Sequence, residues 1–95
     1  MLYCFSKAVY NNDELADYFS HITEKDAVVL WQDGVLLAIK SPQYFENCKG
    51  YCFALEQDIL ARNLTALLPK GNQIRLISLS HFVDITEQYF PQIAL

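Results

Sequence analysis

Asp26-Ala27-Val28-Val29-Leu30-Trp31 runs directly into Gln32-Asp33-Gly34. Five apolar residues in succession, Ala27 to Trp31, show no alternation of apolar and polar positions. Such a run suits a strand covered on both faces, the usual state of strands in a parallel sheet. The polar Gln-Asp-Gly then ends the strand. Asp33 is placed to cap a short helix with Val35, Ala38 and Ile39 on its apolar side.

Upstream, Leu2 to Phe5 reads as a first strand. Asn11-Asn12-Asp13-Glu14 is an acidic, cap-rich start that satisfies orphan helix N–H groups, and Leu15, Tyr18, Phe19 and Ile22 follow as one helical stripe. Downstream, Ser41-Pro42 starts a second short helix, because Pro is favoured at the first helical position, and Gly50 is expected to close it. Tyr51 to Leu55 reads as a third strand. Glu56-Gln57-Asp58 opens a helix through Ile59, Leu60 and Ala61 that stops near Asn63, a residue that tolerates the left-handed conformation. After the Pro69-Lys70-Gly71-Asn72 turn come a fourth strand, Ile74 to Ser78, and a helix with Phe82, Ile85, Thr86 and Tyr89 on one face. The apolar tail Phe90 to Leu95 is expected to add a fifth, edge strand.

Alternating strands and helices with short connections predict an α/β fold: three α/β/α layers on a mostly parallel sheet of four to five strands, with right-handed crossovers, as one domain over residues 1–95. In open sheets of this kind the crevice lies at the carboxyl ends of the strands. Here that edge collects Ser6-Lys7, Gln32-Asp33-Gly34, Glu56-Gln57-Asp58 and Ser78 to His81.

Composition narrows the function. Seven Lys plus Arg against eleven Asp plus Glu leave a net charge of −4, and the basic residues are scattered singly. Phosphate neutralisation needs them clustered, so direct nucleic-acid binding is not expected. No apolar run approaches the roughly 20 residues of a membrane span, and no charged segment followed by an apolar one marks the amino end as a secretory signal. A cytoplasmic setting is expected, with Cys4, Cys48 and Cys52 as reduced thiols.

The three glycines, Gly34, Gly50 and Gly71, are isolated. A nucleotide or flavin site would need a glycine-rich or hydroxyl-rich phosphate loop, so no cofactor is expected. Cys48 and Cys52 are separated by three residues across the Gly50 turn, but the other ligands a zinc site would need, Cys4, His21 and His81, sit on different elements with no paired spacing. Cys4 and Cys52 fall inside strands, where burial makes a thiol inert. Cys48, near a helix end, is the most exposed of the three and the one candidate nucleophile, without a helix N-terminus to stabilise its thiolate. No Gly-x-Ser-x-Gly elbow accompanies His81. Carboxylates near strand ends, Asp26, Asp33, Glu56 and Asp58, could pair as acid and base, but helix capping accounts for Asp33 and Asp58. Six Tyr, six Phe and one Trp, with the tail Tyr89-Phe90-Pro91-Gln92-Ile93-Ala94-Leu95, exceed what a core of this size consumes. Aromatics are enriched at interface centres, so the surplus predicts a partner-facing surface.

Several segments together resemble the TusB/DsrH family. They are Asp26 to Trp31 followed by Gln32-Asp33-Gly34-Val35; Ala54-Leu55 leading to Asp58-Ile59-Leu60-Ala61-Arg62-Asn63-Leu64; Phe82-Val83-Asp84-Ile85-Thr86; and the Gln-x-Ala ending. The resemblance covers essentially the whole chain. It implies a DsrE-like, flavodoxin-like fold and a place in a cytoplasmic heterohexamer with TusC-like and TusD-like sister subunits. There a cysteine of the TusD-like subunit carries persulfide sulfur between carrier proteins, toward 2-thiolation of the wobble uridine of certain tRNAs. Tyr18 stands where some DsrH-type members carry a cysteine in the first helix, which favours the tRNA-thiolation branch. Asn63 stands where many relatives have Gly and serves the same helix-ending conformation. The expected role is a non-catalytic subunit, with Gln32, Asp33, Gly34, Tyr18, Phe90 and Pro91 as crevice or docking residues. The alternatives are a sulfurtransferase subunit with persulfide on Cys48 and a stand-alone small binding module.

Overall fold

The computed structural model describes residues 1–95. Five strands, β1 (Leu2–Phe5), β2 (Ala27–Leu30), β3 (Tyr51–Leu55), β4 (Ile74–Ile77) and β5 (Gln92–Ala94), form one sheet in the order β4-β3-β2-β1-β5. Every neighbouring pair is parallel, so the sheet is wholly rather than mostly so. The uninterrupted run in β2 is fully buried, as a central strand between β1 and β3 should be.

The helices are α1 (Asn12–His21), α2 (Leu37–Lys40), α3 (Pro42–Glu46), α4 (Glu56–Ala61) and α5 (Leu79–Gln88), with 3-10 turns at Gln32–Leu36 and Thr65–Leu67. The steps from β1 to β4 all move one way across the sheet, so right-handed crossovers keep α1 to α4 on one face. The last connection returns past β3, β2 and β1 to place β5 on the far side. Its reversed direction puts α5 on the opposite face. Two cores result, split by the period of two along each strand. Tyr3, Phe5, Val28, Leu30, Cys52 and Ala54 pack with Leu15, Ile22, Val35, Phe45 and Ile59, while Leu2, Cys4, Val29, Phe53, Leu55 and Ile77 pack with Phe82 and Ile85 of α5.

Asn11 caps α1 by accepting from the Asp13 N–H at 2.8 Å, and Ser78 caps α5 by accepting from the His81 N–H at 3.1 Å. Ser78 is therefore a cap rather than the last residue of β4. Pro42 opens α3 as expected, although the Ser41 side chain makes no cap bond. Gly50 does not close α3, which ends at Glu46. A Cβ on Gly50 would lie 2.7 Å from the Asp26 carbonyl oxygen and 2.9 Å from Ile22 Cγ2, so close approach to the start of β2 requires glycine there. Asn63 ends the α4 segment with φ 54°, as its residue type predicts. The Phe90-Pro91 peptide is cis, and the tail is extended as β5 only from Gln92.

Asp26 ties the amino end to the turn before β2. Its carboxylate accepts from the N-terminal ammonium at 3.0 Å, the Thr23 N–H at 2.8 Å and the Thr23 hydroxyl at 3.1 Å. Burial pushes its pKa up, but these donors and the ammonium charge outweigh burial and hold it below the usual carboxylate value. A depressed folded-state pKa contributes stability above the unfolded value of about 3.9 that is lost as pH falls through the folded one. The urea midpoint is therefore expected to fall as pH drops below about 4, and to fall less in Asp26→Asn. Matching acid profiles for the two proteins would assign the loss to other carboxylates.

Candidate functional site

The Gln32-Asp33-Gly34 turn sits at the carboxyl edge of the sheet, held by residues 26 and 29 positions further on. Gln32 adopts φ 53°, a conformation that costs a non-glycine residue of order 1 kcal/mol. Its N–H donates to Asp58 Oδ2 at 2.7 Å, which satisfies the first amide of the 3-10 turn. Asp33 makes no cap bond. It instead accepts from Arg62 Nη2 at 2.9 Å and from Nε at 3.2 Å. Arg62 Nη1 donates to the Asp58 carbonyl at 3.2 Å and to its carboxylate at 3.4 Å. The capping role expected of Asp33 is thus corrected to an ion pair, and Asp58 caps the turn after β2 rather than its own helix. A residue four positions from its partner on a helix shares its face, so α4 presents Asp58 and Arg62 together as one clamp.

Gly34 is buried where the turn crosses the end of β1. A Cβ would lie 1.9 Å from the Phe5 carbonyl oxygen and 2.6 Å from its carbon. At the same edge, the switch point beside β1 is occupied by the chain's own tail: Leu95 O accepts from the Ser6 hydroxyl at 3.0 Å and the Ser6 N–H at 3.3 Å. The two recesses of the surface lie at the opposite edge. One, of about 40 Å³, is lined by Pro42, Phe45, Pro69 and Lys70 among others. The larger, of about 360 Å³, is lined by Gly50, Tyr51, Cys52 and Asn72 to Arg75.

The remaining site residues foreseen from sequence are dispersed. Tyr18 is half-buried on α1, edge-on to Phe5 with ring centroids 6.1 Å apart. Phe90 is 72% exposed, and Pro91 accepts from the Leu2 N–H at 3.0 Å, at the amino end of β1 and so across the sheet from Gln32. On α5, Leu79 and Val83, one turn apart, are each 52% exposed. Next to α5, Tyr51 stacks on Phe53, which meets His81 edge-on.

The cysteines behave differently from one another. Burial pushes the Cys4 thiol up to about 11, as its place inside β1 predicts. Cys48 is half-buried and drawn down to about 7, first by the neighbouring Cys52 thiol, against partial burial, and with help from the Gly50 N–H. Cys52 is pushed strongly up by Cys48 and by burial. The sequence already sets these two cysteines with three residues between them across the Gly50 turn, too few ligands for zinc. No group of three or more His, Cys, Asp or Glu side chains is arranged to hold a metal ion, and no helix is long and apolar enough to cross a membrane.

A family model described as DsrH like protein matches residues 7–92. The chain belongs to the DsrH-like family. Among its relatives, an uncharacterized protein of Haemophilus influenzae is 67% identical over 95 residues, covering all of both chains. Protein TusB of Yersinia pestis (strain Pestoides F) is 35% identical over 97 residues, covering 99% of each. The solution NMR structure of protein Tm0979 from Thermotoga maritima matches with a TM-score of 0.61 and 26% identity over 92% of each chain. In this DsrH-like chain, two of the segments that carried the resemblance, Gln32-Asp33-Gly34 and Asp58 to Arg62, are the two halves of one hydrogen-bonded unit.

Proposed function

We propose that this chain is a supporting, non-catalytic subunit of a cytoplasmic sulfur-relay complex of the TusB type. It would assemble with TusC-like and TusD-like sisters as a heterohexamer serving 2-thiolation of the tRNA wobble uridine. The observation that carries the reading is full-length similarity to proteins named TusB, 35% identical over 99% of both chains. Two features of the fold support it. Hydrogen bonds within the chain engage the Gln32 turn and its Asp33 and Asp58 carboxylates, which favours a rigid docking edge over an open reaction site. Leu79 and Val83 on α5, and Phe90 beyond its end, are exposed to a partner, and apolar residues of this kind form the centres of stable interfaces. In this reading Gln32, Asp33 and Gly34 shape a contact edge, and Phe90 and Pro91 belong to the docking surface.

A second reading, persulfide carriage on Cys48, is favoured by that thiol's lowered pKa, since the thiolate is the attacking species. Replacing Cys4, Cys48 and Cys52 together by Ala in the co-expressed complex separates the two readings. On the supporting-subunit reading, a variant that still assembles, by size-exclusion chromatography with light scattering, transfers sulfur at the wild-type rate. Loss of transfer in an assembled complex, repeated in Cys48→Ser alone, would replace it with the second reading. A lone chain that stays monomeric and ignores its sisters would overturn both.

A further inference from the structure

The strand order leaves β4 with one edge unpaired. Along a strand the backbone groups point alternately to either side, and the Tyr51 N–H donates to the Asp26 carbonyl at 3.3 Å, toward β2. Cys52 and Ala54 therefore turn their backbone groups toward β4, where Arg75, between their register partners Ile74 and Leu76, meets them. Ile74 and Leu76 turn theirs outward. The Asn72 side-chain oxygen takes the Ile74 N–H at 2.8 Å. That leaves the Ile74 carbonyl and both backbone groups of Leu76 open, on a residue 38% exposed. Such an edge is a template for another strand.

Both recesses of the surface border this edge at Ile74. The smaller one is lined by Ala38, Pro42 and Phe45 as well as Ile74, on the face that α3 covers. Lys70 and Glu46 at its rim offset each other in charge. The larger one reaches Tyr51 and Arg75. Arg75 lies opposite Phe53 in register and so shares the α5 face, and it enters none of the chain's ion pairs. The edge thus alternates: apolar at Ile74, cationic at Arg75, apolar at Leu76.

We propose that the free edge of β4 binds an extended segment of another protein by strand addition, and that the segment alternates apolar and acidic residues. Its backbone takes the hydrogen bonds that Ile74 and Leu76 leave open, and pockets beside a sheet edge read alternate side chains. Successive side chains of the segment fall on opposite faces. One meets Ile74 and the Pro42 and Phe45 recess, the next meets Arg75 from the α5 face, and the third meets Leu76. An opposite charge across from Arg75 stabilises such a pair and a like charge destabilises it. A second copy of this chain would set another Arg75 along the same edge, so charge disfavours self-pairing and selects an acidic partner.

The test is an NMR titration of the full chain, labelled with nitrogen-15, with a capped peptide of alternating Val and Glu about eight residues long. The Leu76 amide is expected to shift and its hydrogen exchange to slow by about tenfold or more at saturation. The same peptide with Lys in place of Glu should bind at least about fivefold more weakly. Arg75→Glu, at an exposed position, should reverse that preference while the urea midpoint stays near wild type. Four results would each overturn the proposal. They are no change at the Leu76 amide at millimolar peptide, shifts confined to α5 around Leu79 and Val83, equal binding of the two peptides, and protection of the Leu76 amide without peptide that grows with protein concentration. The last would make a second copy the occupant.

Discussion

Gly34→Ala is expected to lower the stability of the chain by about 3–5 kcal/mol, the range in which substitution effects become exceptional. The added Cβ would lie 1.9 Å from the Phe5 carbonyl oxygen and 3.1 Å from the Ser6 nitrogen. Those atoms are backbone in a central strand, and Phe5 O also accepts from the Trp31 N–H at 3.1 Å. Neither can rotate away as a flexible side chain could, so the 3-10 turn must lift off the end of β1. Lifting it would pull Val35, wholly buried, from the core and strain the Gln32 N–H bond to Asp58. A chain of this size has only about 5–14 kcal/mol of stability in total. The expected fall in Tm is more than about 15 °C. Gly71→Ala is the control: its φ of 74° makes the substitution strained, but no atom lies within 4 Å of the new Cβ, so a loss of only about 1 kcal/mol is expected. A Tm for Gly34→Ala within about 3 °C of wild type would mean that the turn moves freely over β1, and the rigid-edge argument would fail with it.

The second large effect is expected on assembly rather than folding. Val83→Asp, alone or with Leu79→Asp, should weaken binding to the sister subunits by about 30-fold or more, the scale of an interface hot spot. Both side chains are about half exposed and lie outside the buried pair Phe82 and Ile85 of α5, so the urea midpoint should correspond to a change of less than about 0.5 kcal/mol. Leu79 is the first residue after the Ser78 cap, where a negative charge meets the positive end of the helix dipole. Placing an aspartate there leaves the helix at least as stable. Complexes of unchanged affinity in pull-down and light scattering would remove α5 from the docking surface and leave the Gln32 edge as the remaining candidate.

The sequence carried the element order because each local signal agreed with its neighbours. The unbroken apolar run of β2, the Asn11 cap, Pro42 at a helix start and Asn63 at a helix end act through residues close in the chain, and the structure retains each of them. Parallel pairing followed from the unalternating run. Gly50 was misread for the opposite reason: what demands glycine there is the Asp26 carbonyl, a contact between residues 24 positions apart in the chain. The site divides in the same way. Gln32-Asp33-Gly34 and the Asp58 to Arg62 segment stood out by their residues, and Cys48 by its exposure. That Arg62 bridges Asp33 and Asp58, and that Asp58 caps a turn after another strand, depended on β2 and β3 being sheet neighbours.

By itself, then, the sequence determined the α/β class, the succession of elements, the family and the residues of the Gln32 turn, since these rest on period, caps and local composition. Only the tertiary structure decided the strand order with β5 beside β1, the placement of α5 alone on one face and the exchange of Asp33 from cap to ion pair. Strand order is set by how right-handed crossovers of different reach share one sheet. The partner of a carboxylate is set by whichever donor the folded chain brings within about 3–4 Å, a distance that spacing along the chain does not encode.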